Sequence, residues 1–276
     1  MPELPEVETV MRGLAARLTG RKILSVRAAR PDLRWPLPSR LEERLRGRRI
    51  VGFRRRGKYI LMRLQGGESL ILHLGMSGRL LLVQGSQDTA RHEHLVLRAE
   101  GGWRLAFIDP RRFGSIDLVQ TAGEERHPRL ACLGPEPLAP DFAPATLAAR
   151  LARHRTSIKA ALLNQKVVAG LGNIYASEAL FRARISPRRV AAGLGPVRVL
   201  RLFTAIRETL ADAIAAGGSS FSDYVQPDGT LGYFQHAWQV YGRERCPACP
   251  RAPRCRGIVS LVQAGRTTFY CPRLQR

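Results

Sequence analysis

The spacing of apolar residues divides the chain into a helical start, a β-rich middle and a helical remainder. Near the amino terminus an apolar side chain recurs at every third or fourth position. These positions are Leu4, Val7, Met11, Leu14 and Leu18. The spacing predicts an amphipathic helix over residues 3–18, because side chains three and four positions apart share one helix face. Gly20 follows and is expected to end the helix.

Between Ile50 and Val119 the pattern changes to short runs rich in leucine, isoleucine and valine. Turn-forming segments such as GGES, GMSG and EGGW separate these runs. The runs are KYILMRL, SLILHL, RLLLV, HLVLRA and WRLAFI. Short apolar runs between turn signals predict β-strands, here arranged as an antiparallel sandwich or barrel.

Beyond residue 145 the apolar spacing becomes helical again. Four segments carry it, at residues 146–154, 158–164, 175–183 and 197–216. Gly217 and Gly218 are expected to end the last helix, since glycine is a poor helix former. A proline-rich stretch at residues 133–144 precedes these helices and predicts a domain boundary. The pattern therefore indicates an α+β fold, with a β-sandwich and its N-terminal helix followed by a helical domain.

The chain is strongly basic. It has 45 lysines and arginines against 22 aspartates and glutamates, a net charge of +23 and a pI near 11.3. A folded chain of this charge is expected to bind a polyanion. Nucleic acid is the leading candidate, since neutralising phosphates favours binding without any particular sequence. A basic ribosomal protein would show the same charge, so charge alone leaves both classes open.

The chain shows no sign of a membrane or secretory segment. It has no run of about 18 apolar residues, as a membrane span requires. Its first ten residues are acidic and lack the basic-then-apolar pattern of a signal peptide. We therefore expect a cytoplasmic protein, and its 276 residues suit about two domains with a small appendage.

Lysine is rare among the basic residues. The lysines are Lys22, Lys58, Lys159 and Lys166, and every other basic residue is arginine. Arginine stays protonated in proteins, whereas a lysine amine can be tuned for chemistry. The lysines are therefore candidate functional residues. Chance survival is the alternative, and we assign it to Lys22.

The first eight residues are acidic, although the chain as a whole is strongly basic. Glu3, Glu6 and Glu8 lie close to Pro2 and Pro5. Acids and a proline suit the first turn of a helix, where the acids complement the helix dipole. Capping explains Glu6 and Glu8, but it does not explain a glutamate directly after a proline at position 2. The amino terminus is therefore either a capped helix start or a chemical site.

Four of the five cysteines lie in the carboxyl-terminal tail. Cys246 and Cys249 form a C-x-x-C knuckle, and Cys255 and Cys271 follow. In a cytoplasmic protein, clustered cysteines favour zinc, which takes four ligands in a tetrahedral array. Leu274 stands where a second knuckle would have its last cysteine, so Cys255 is expected to complete a four-cysteine site. A metal-free, degenerate ribbon is the alternative.

The same tail predicts a hairpin. The sequence VSLVQAGRTTFY places Arg266 after Gly265 near its tip. An arginine there is suited to DNA phosphates, with a solvated arginine as the alternative. Outside the tail, Cys132 is expected to be a buried apolar residue.

Six motifs in this order resemble bacterial formamidopyrimidine-DNA glycosylase, a family that repairs oxidised guanine. They are PELPEVET, RRGKYIL, HLGMSG, DPRRFG, GLGNIYASEALF and GRTTFYC. Each is modest evidence alone, but together they span nearly the whole chain. The resemblance implies a glycosylase and AP lyase that excises oxidised purines from double-stranded DNA as a monomer with one structural Zn²⁺.

The resemblance also implies a division of the chain. Residues 1–132 would form a catalytic β-sandwich domain, and residues 133–144 a linker. Residues 145–242 would form a helix-two-turns-helix DNA-binding domain, and residues 243–276 a zinc-ribbon-like hairpin.

The resemblance implies that Pro2 is the nucleophile, because family members lose the initiator methionine. A terminal α-amine has a pKa of about 8, far below that of lysine. This amine can attack the sugar C1′, expel the damaged base and form an iminium ion that allows elimination of both flanking phosphates. Glu3 would handle protons on the sugar, with Glu6 as a supporting carboxylate. Lys58 would reach the lesion or its phosphate, and Arg266 would grip the phosphates there.

A base turned out of the duplex leaves a void in the stack. The resemblance implies that Met76, Arg111 and Phe113 fill it, with Arg111 facing the widowed cytosine. Arg112 would contact phosphate. Core packing is the alternative for Met76 and Phe113, although the glycines beside them favour exposed turns.

Further DNA contacts are implied in both halves of the chain. Asn173 matches the phosphate-binding asparagine of the helix-two-turns-helix motif, beside the N-terminal amides of a helix. Lys159 and His94 match other DNA contacts of the family, and His73 could touch phosphate. A structural histidine is the alternative for His94 and His73. Residues 217–229 match the loop that covers the flipped base.

Three alternatives compete with this interpretation. An endonuclease VIII-like enzyme would share the acidic start, the lysine and the zinc hairpin, but it would lack the full MSG and RRFG motifs. A catalytically inactive DNA-binding protein would lack Pro2, Glu3 or Lys58, and all three are present. A basic ribosomal or RNA-binding protein would not require an acid cluster at its amino terminus.

Overall fold

The computed structural model describes residues 1–85, 91–219, 232–249 and 257–276. The chain divides into two compact units. The first consists of Met1–Ala131 and Ala216–Tyr233, and the second of Cys132–Ala215 and Phe234–Arg276.

The predicted N-terminal helix is confirmed as α1, which spans Leu4–Leu18. Val7 and Leu14 of its apolar stripe are fully buried in the core of the first unit. Pro5 lies in the first turn, where its missing N–H costs nothing because that N–H would have no partner within the helix. Gly20 follows with a φ of +85°, a conformation that glycine adopts readily.

The described part of the first unit contains two four-stranded antiparallel sheets. The strands are β1 (Ile23–Ala28), β2 (Ile50–Arg56), β3 (Tyr59–Leu64), β4 (Glu68–His73), β5 (Arg79–Gln84), β6 (Glu93–Ala99), β7 (Trp103–Ile108) and β8 (Ser115–Gln120). One sheet has the order β1-β6-β7-β5 and the other β2-β3-β4-β8. Both sheets and α1 contribute to one apolar core, so the predicted antiparallel β-sandwich is confirmed.

The strand register of the second sheet brings three motifs to the same end of the sheet. Tyr59 at the start of β3 pairs with His73 at the end of β4, and His73 pairs with Ser115 at the start of β8. Consequently the turn before β3, the turn after β4 and the turn before β8 lie at the same end of the sheet. These turns carry RRGKYIL, HLGMSG and DPRRFG.

The five named apolar runs correspond to β3–β7 and leave out the strands β1, β2 and β8 and two short helices of the first unit. β1 is an edge strand in which Ile23 is the one fully buried residue, so its alternation is weak. α2 spans Leu41–Leu45, too few residues to show a helical period. A short helix, α3 (Pro128–Ala131), ends this part of the chain. Cys132 follows α3 and is exposed, so the prediction that it is buried was wrong.

The four predicted helices of the second unit all form, with small shifts at their ends. They are α4 (Pro144–Leu151), α5 (Ile158–Leu163), α6 (Asn173–Arg182) and α7 (Pro196–Ala215). Among the described residues, short 3₁₀ turns lie at Thr121–Arg126 in the first unit and at Ala191–Gly193 and Phe234–Ala237 in the second. In the described ranges of the chain, no helix combines the length and the apolar character that crossing a membrane requires.

A double turn joins α5 to α6. The Gln165 side chain holds it: Oε1 accepts from the Gly170 N–H at 2.9 Å, and Nε2 donates to the Leu171 carbonyl at 2.7 Å. Gly170 has a φ of +86°. This turn delivers Asn173 to the first position of α6.

The predicted hairpin of the tail forms from β9 (Val259–Gln263) and β10 (Arg266–Tyr270), which pair antiparallel. Ala264 and Gly265 form the two-residue turn, with φ of +49° and +69°. Two positive φ values match the tight turns that fit twisted hairpins. The hairpin therefore presents Arg266 immediately after its tip.

Candidate active site and nucleic-acid interface

The first turn of α1 buries the acids closest to Pro2. Glu3 is the N-cap residue, and Glu6 Oε2 accepts a hydrogen bond from the Glu3 N–H at 2.8 Å within a capping box. Glu3 and Glu6 are 3% and 2% exposed. Pro2 is buried as well, whereas Met1 is exposed. The capping explanation therefore holds for Glu6, and an accessible Met1 precedes an enclosed Pro2.

Glu6 also holds a segment that is distant in sequence but belongs to the first unit. Its Oε1 accepts a hydrogen bond from the Ser219 N–H at 2.8 Å. Gly218 has a φ of +80°, and a Cβ there would lie 3.2 Å from Glu6 Cγ. One carboxylate thus binds the N–H next to Pro2 and the N–H at the root of the predicted base-covering loop. Residues 220–229 of that loop lie outside the described residues.

Glu8 ties α1 to the turn that carries Lys58. Arg55 Nε donates to Glu8 Oε2 at 2.7 Å, and Arg55 Nη1 donates to the Gly57 carbonyl at 3.0 Å. Gly57 has a φ of +55°, and the following Lys58 is 7% exposed. Lys58 therefore lies at a strand end, directly after a turn that Arg55 ties to α1. Its contact with a lesion stays a prediction.

His73 is a neutral histidine at the end of β4. Burial, and then the positive charge of Lys58, lowers the pKa of His73 to about 4. The ring is therefore uncharged at pH 7, and its Nδ1 accepts a hydrogen bond from the Gly75 N–H at 3.1 Å. This arrangement supports the structural alternative, because a neutral ring offers no charge to a phosphate.

Two turns at this end of the sheet expose apolar side chains. Met76, after β4, is 41% exposed, and Phe113, before β8, is 42% exposed. The Arg111 guanidinium lies over the Phe113 ring, 4.8 Å from its centroid. Arg112 is exposed, with a φ of +58°. The exposure of Met76 and Phe113 argues against core packing as the reason for these side chains.

A buried carboxylate joins the two turns. Asp109 is fully buried; its Oδ1 accepts from Ser77 Oγ at 2.6 Å and its Oδ2 from the Gly114 N–H at 2.7 Å. A Cβ at Gly75 would lie 2.4 Å from the carbonyl carbon of Phe113, so the turn backbones touch. Asp109 therefore sets the relative position of the Met76 and Phe113 turns.

His94 lies behind the same turns. It is 7% exposed, and its Nε2 is hydrogen-bonded to the Asp109 carbonyl at 2.8 Å. This placement supports the structural alternative for His94. A direct contact between His94 and DNA stays a prediction.

In the second unit, Asn173 is bonded to the hairpin. Its Nδ2 donates to the Thr267 carbonyl at 2.9 Å and to the Tyr241 hydroxyl at 3.3 Å. Arg266 directly precedes Thr267 and is exposed. A helix amino terminus attracts anions through its dipole. The start of α6, Asn173 and Arg266 therefore form one surface suited to phosphate.

Tyr241 is placed by a second buried carboxylate. Glu178 is 4% exposed and accepts hydrogen bonds from three successive backbone N–H groups. The donors are Gln239 at 2.9 Å, Val240 at 3.0 Å and Tyr241 at 2.8 Å. Burial raises the pKa of Glu178, although these N–H groups favour its charged form. The carboxyl thus fixes the backbone from which Tyr241 reaches Asn173.

Lys159 is completely enclosed in the second unit. Its Nζ donates to Asn173 Oδ1 at 2.5 Å and to Thr268 Oγ1 at 2.8 Å. A side chain without exposed surface has no route to a phosphate in this conformation. Direct contact between Lys159 and DNA stays a prediction.

Three thiols of the tail converge. The Sγ atoms of Cys246, Cys249 and Cys271 lie within 4.8 Å of one another, and those of Cys249 and Cys271 are 3.8 Å apart. Two sulfurs bound tetrahedrally to one zinc at about 2.3 Å are about 3.8 Å apart, so the spacing fits a metal ion.

The surroundings of the thiols also bear on the fourth ligand. Burial raises the pKa of the Cys271 thiol, while the Leu274 N–H donates to it and favours the thiolate. Leu274 itself packs beside the cysteines in a small apolar cluster. Cys255, the predicted fourth ligand, lies outside the described residues.

Asp109, Glu178 and Tyr241 support the site but were not predicted from the sequence. Asp109 and Glu178 fall inside the quoted motifs DPRRFG and GLGNIYASEALF, so their motifs marked the region. Their roles depend on which backbone N–H groups fold against them, which one sequence does not show. Tyr241 stands outside the six motifs and had no local signal.

Two family models match the chain. The model described as the formamidopyrimidine-DNA glycosylase N-terminal domain matches residues 1–116, and that of the formamidopyrimidine-DNA glycosylase H2TH domain matches residues 133–225. A formamidopyrimidine-DNA glycosylase of Acidiphilium cryptum (strain JF-5) is 58% identical over 280 residues and covers 100% of both chains.

Solved structures agree with this match. The MutM (Fpg) protein of Thermus thermophilus is 43% identical with a TM-score of 0.87, over 99% of this chain and 98% of that one. A Lactococcus lactis Fpg mutant in complex with Fapy-dG containing DNA is 36% identical with a TM-score of 0.90, over 100% of both chains.

The sandwich, the helical domain and the cysteine hairpin together define the class of the protein as a DNA glycosylase of the helix-two-turns-helix type. The chain belongs to the formamidopyrimidine-DNA glycosylase family. The resemblance seen in the six motifs is therefore confirmed, as are the predicted fold class and the assignment as an enzyme of DNA repair.

Replacing Asp109 by asparagine is expected to loosen the turns that carry Met76 and Phe113. The amide keeps one acceptor oxygen and turns an N–H₂ towards either Ser77 or Gly114. An unsatisfied buried donor costs about 1–3 kcal/mol, and misplaced contact residues can lower catalysis by about 100-fold. Calorimetry of Asp109→Asn and its excision rate on a duplex with one oxidised guanine measure both effects.

Asp32→Asn is the matched control. The Asp32 side chain is 49% exposed and pairs with Arg30 at 2.7 Å. Exposed ion pairs contribute about 0–1 kcal/mol, so this variant should keep the unfolding temperature and the rate. Unchanged stability and excision in Asp109→Asn would show that the carboxylate does not hold the turns.

Proposed function

We propose that the protein is a bifunctional DNA glycosylase and AP lyase that excises oxidised purines, including 8-oxoguanine and formamidopyrimidines, from double-stranded DNA. The observation that carries the proposal is the enclosed group of Pro2, Glu3 and Glu6 behind an exposed Met1. Relatives support it: Lactococcus lactis Fpg structures, 36% identical, hold Fapy-dG containing or abasic-site containing DNA. A MutM structure, 36% identical, holds carbocyclic 8-oxo-G containing DNA.

The reaction requires removal of Met1, because the Pro2 nitrogen is an amide nitrogen while Met1 is attached. The freed secondary amine attacks C1′ of the damaged nucleotide. The bond from C1′ to the base breaks, and the base leaves with the bonding electrons and gains a proton. Opening of the sugar at O4′ then leaves a cationic iminium between Pro2 and C1′.

The iminium acts as an electron sink for two eliminations. Loss of a proton from C2′ expels the 3′ phosphate, and a second elimination expels the 5′ phosphate. Glu3, adjacent in sequence to the amine, exchanges protons with the opening sugar, and Glu6 supports it. The Lys58 ammonium engages the lesion or its phosphate.

Exposed and half-buried residues supply the DNA contacts. Met76, Arg111 and Phe113 enter the void left by the flipped base, because a stacked duplex otherwise loses contacts there. Arg112 contacts phosphate beside them. Asn173 and Arg266 bind phosphates on the second unit. The net charge of +23 attracts the polyanion over a longer range. The loop at residues 217–229 covers the base.

We propose Zn²⁺ as the ion of the cysteine cluster. Cys246, Cys249 and Cys271 supply three thiolates, and Cys255 supplies the fourth, because zinc prefers four sulfur or nitrogen ligands in structural sites. Zinc bound by these thiolates would stabilise the hairpin that presents Arg266. The protein acts as a monomer in the bacterial cytoplasm.

Borohydride trapping tests the nucleophile. Methionine-free protein, mixed with a duplex containing 8-oxoguanine opposite cytosine, should form a covalent adduct that mass mapping locates on Pro2. Borohydride reduces the iminium and so fixes it. Protein that retains Met1 is the control and should give no adduct. An adduct on Lys58, or none at all with metal-replete protein, would refute the proposed nucleophile.

Metal content tests the zinc site. Elemental analysis should find about one zinc per chain, and Cys246→Ser and Cys255→Ser should both lose it, with a lower unfolding temperature. Cys132→Ser is the control, since Cys132 is exposed and lies outside the thiol cluster. A full equivalent of zinc in Cys255→Ser would remove Cys255 from the ligand set.

A further inference from the structure

Lys159 presents a physical problem, because a fully buried lysine is costly. Its side chain is among the largest in the described chain with essentially no exposed surface. Transferring an ammonium out of water costs several kcal/mol unless its hydrogen bonds are replaced. For the stability of the fold alone, an apolar side chain of similar length would fill this space at lower cost. The charge at position 159 therefore calls for an explanation.

The contacts of Lys159 converge on the phosphate-binding surface of the second unit. Its Nζ donates to Asn173 Oδ1 at 2.5 Å, to the Thr267 carbonyl at 3.2 Å and to Thr268 Oγ1 at 2.8 Å. Asn173 begins α6, and Thr267 and Thr268 belong to β10. A single ammonium thus joins the helix amino terminus to the strand that follows Arg266.

The ammonium also decides which way the Asn173 amide points. An ammonium can only donate, so it must face the amide oxygen and not the amide nitrogen. With Oδ1 fixed on Lys159, Nδ2 is directed to the Thr267 carbonyl at 2.9 Å and the Tyr241 hydroxyl at 3.3 Å. A flipped amide would place N–H₂ against the ammonium and its oxygen against the Thr267 carbonyl, so it would lose both of those bonds and could keep only the one to the Tyr241 hydroxyl, which can donate as well as accept. Lys159 therefore removes one of the two orientations available to Asn173.

We propose that Lys159 is a positioning residue of the DNA-phosphate site, which acts through Asn173 and β10 and does not touch phosphate itself. It fixes the amide orientation of Asn173 and the backbone beside Arg266, and so organises the surface before DNA arrives. The alternative is that Lys159 is a direct phosphate contact. The inference rests on the proposed function, since it requires that DNA phosphates bind at Asn173.

Salt dependence separates positioning from direct contact. Each lysine that neutralises a phosphate contributes about 0.9 to the slope of log affinity against log salt concentration. Lys159→Met fills the buried space without charge, and its affinity for a duplex with an abasic-site analogue should fall about tenfold at every salt concentration, with an unchanged slope. Fluorescence anisotropy from 50 to about 300 mM salt measures both quantities. A slope smaller by about 0.9 would overturn the proposal.

A double-mutant cycle tests the route through Asn173. If Lys159 acts by orienting that amide, Lys159→Met together with Asn173→Ala should bind no more weakly than Asn173→Ala alone. Additive losses would overturn the proposal. Lys22→Met is the charge control: Lys22 lies in the first unit, outside every site described above, and should leave affinity unchanged.

A second variant covers the case in which Lys159→Met does not fold. Thr268→Val keeps the ammonium but removes its bond to Oγ1, and Thr268 is itself fully buried. The positioning role predicts weaker binding with an unchanged salt slope. Wild-type affinity in Thr268→Val would contradict that role. Failure of the proposed function would appear separately, as absence of damage-specific binding by the wild-type protein.

Discussion

The Glu6 carboxylate is the constraint on which the amino-terminal site depends. One oxygen accepts from the Glu3 N–H, next to Pro2, and the other accepts from the Ser219 N–H. A helix that begins at Leu4 leaves its first N–H groups without partners inside the helix, so a carboxylate three residues on can both cap it and fix the chain before it. The same charge also holds the root of the loop at residues 217–229. This answers why so basic a chain opens with acids: they enclose and orient its first residues.

Buried charged side chains also order the surfaces that we propose for DNA binding. Asp109 links the turns that carry Met76 and Phe113. Glu178 accepts hydrogen bonds from three successive backbone N–H groups, the last of them that of Tyr241. Lys159 orients the Asn173 amide. Each buried charge is costly on its own and is compensated by two or three hydrogen bonds. Surface side chains are flexible, and binding loses free energy when they must be ordered at the moment of contact. Buried polar residues remove that loss by ordering the surface beforehand.

The spacing of apolar residues predicted the helices and strands whose formation depends on burying one face. The stripe from Leu4 to Leu18 and the five apolar runs gave correct elements, because burying one face requires that periodicity. β1 was not predicted, because an edge strand with one buried residue lacks a regular apolar periodicity. The prediction that Cys132 is buried was wrong, because residue type gives only an average tendency to burial. The partners of Lys159, 14 residues away on α6 and more than 100 away on β10, depend on tertiary packing that one sequence does not show.

Residue-resolved amide hydrogen exchange measures directly whether Glu6 organises the amino-terminal site. Glu6→Ala removes both acceptors, and the account predicts that the Glu3 and Ser219 amides exchange at least about tenfold faster, since a hydrogen bond to a charged group contributes about 1.5–3 kcal/mol. Glu8→Ala, which removes the partner of Arg55, should leave the Ser219 amide as protected as in the unaltered protein. Unchanged protection of both amides in Glu6→Ala would contradict the account.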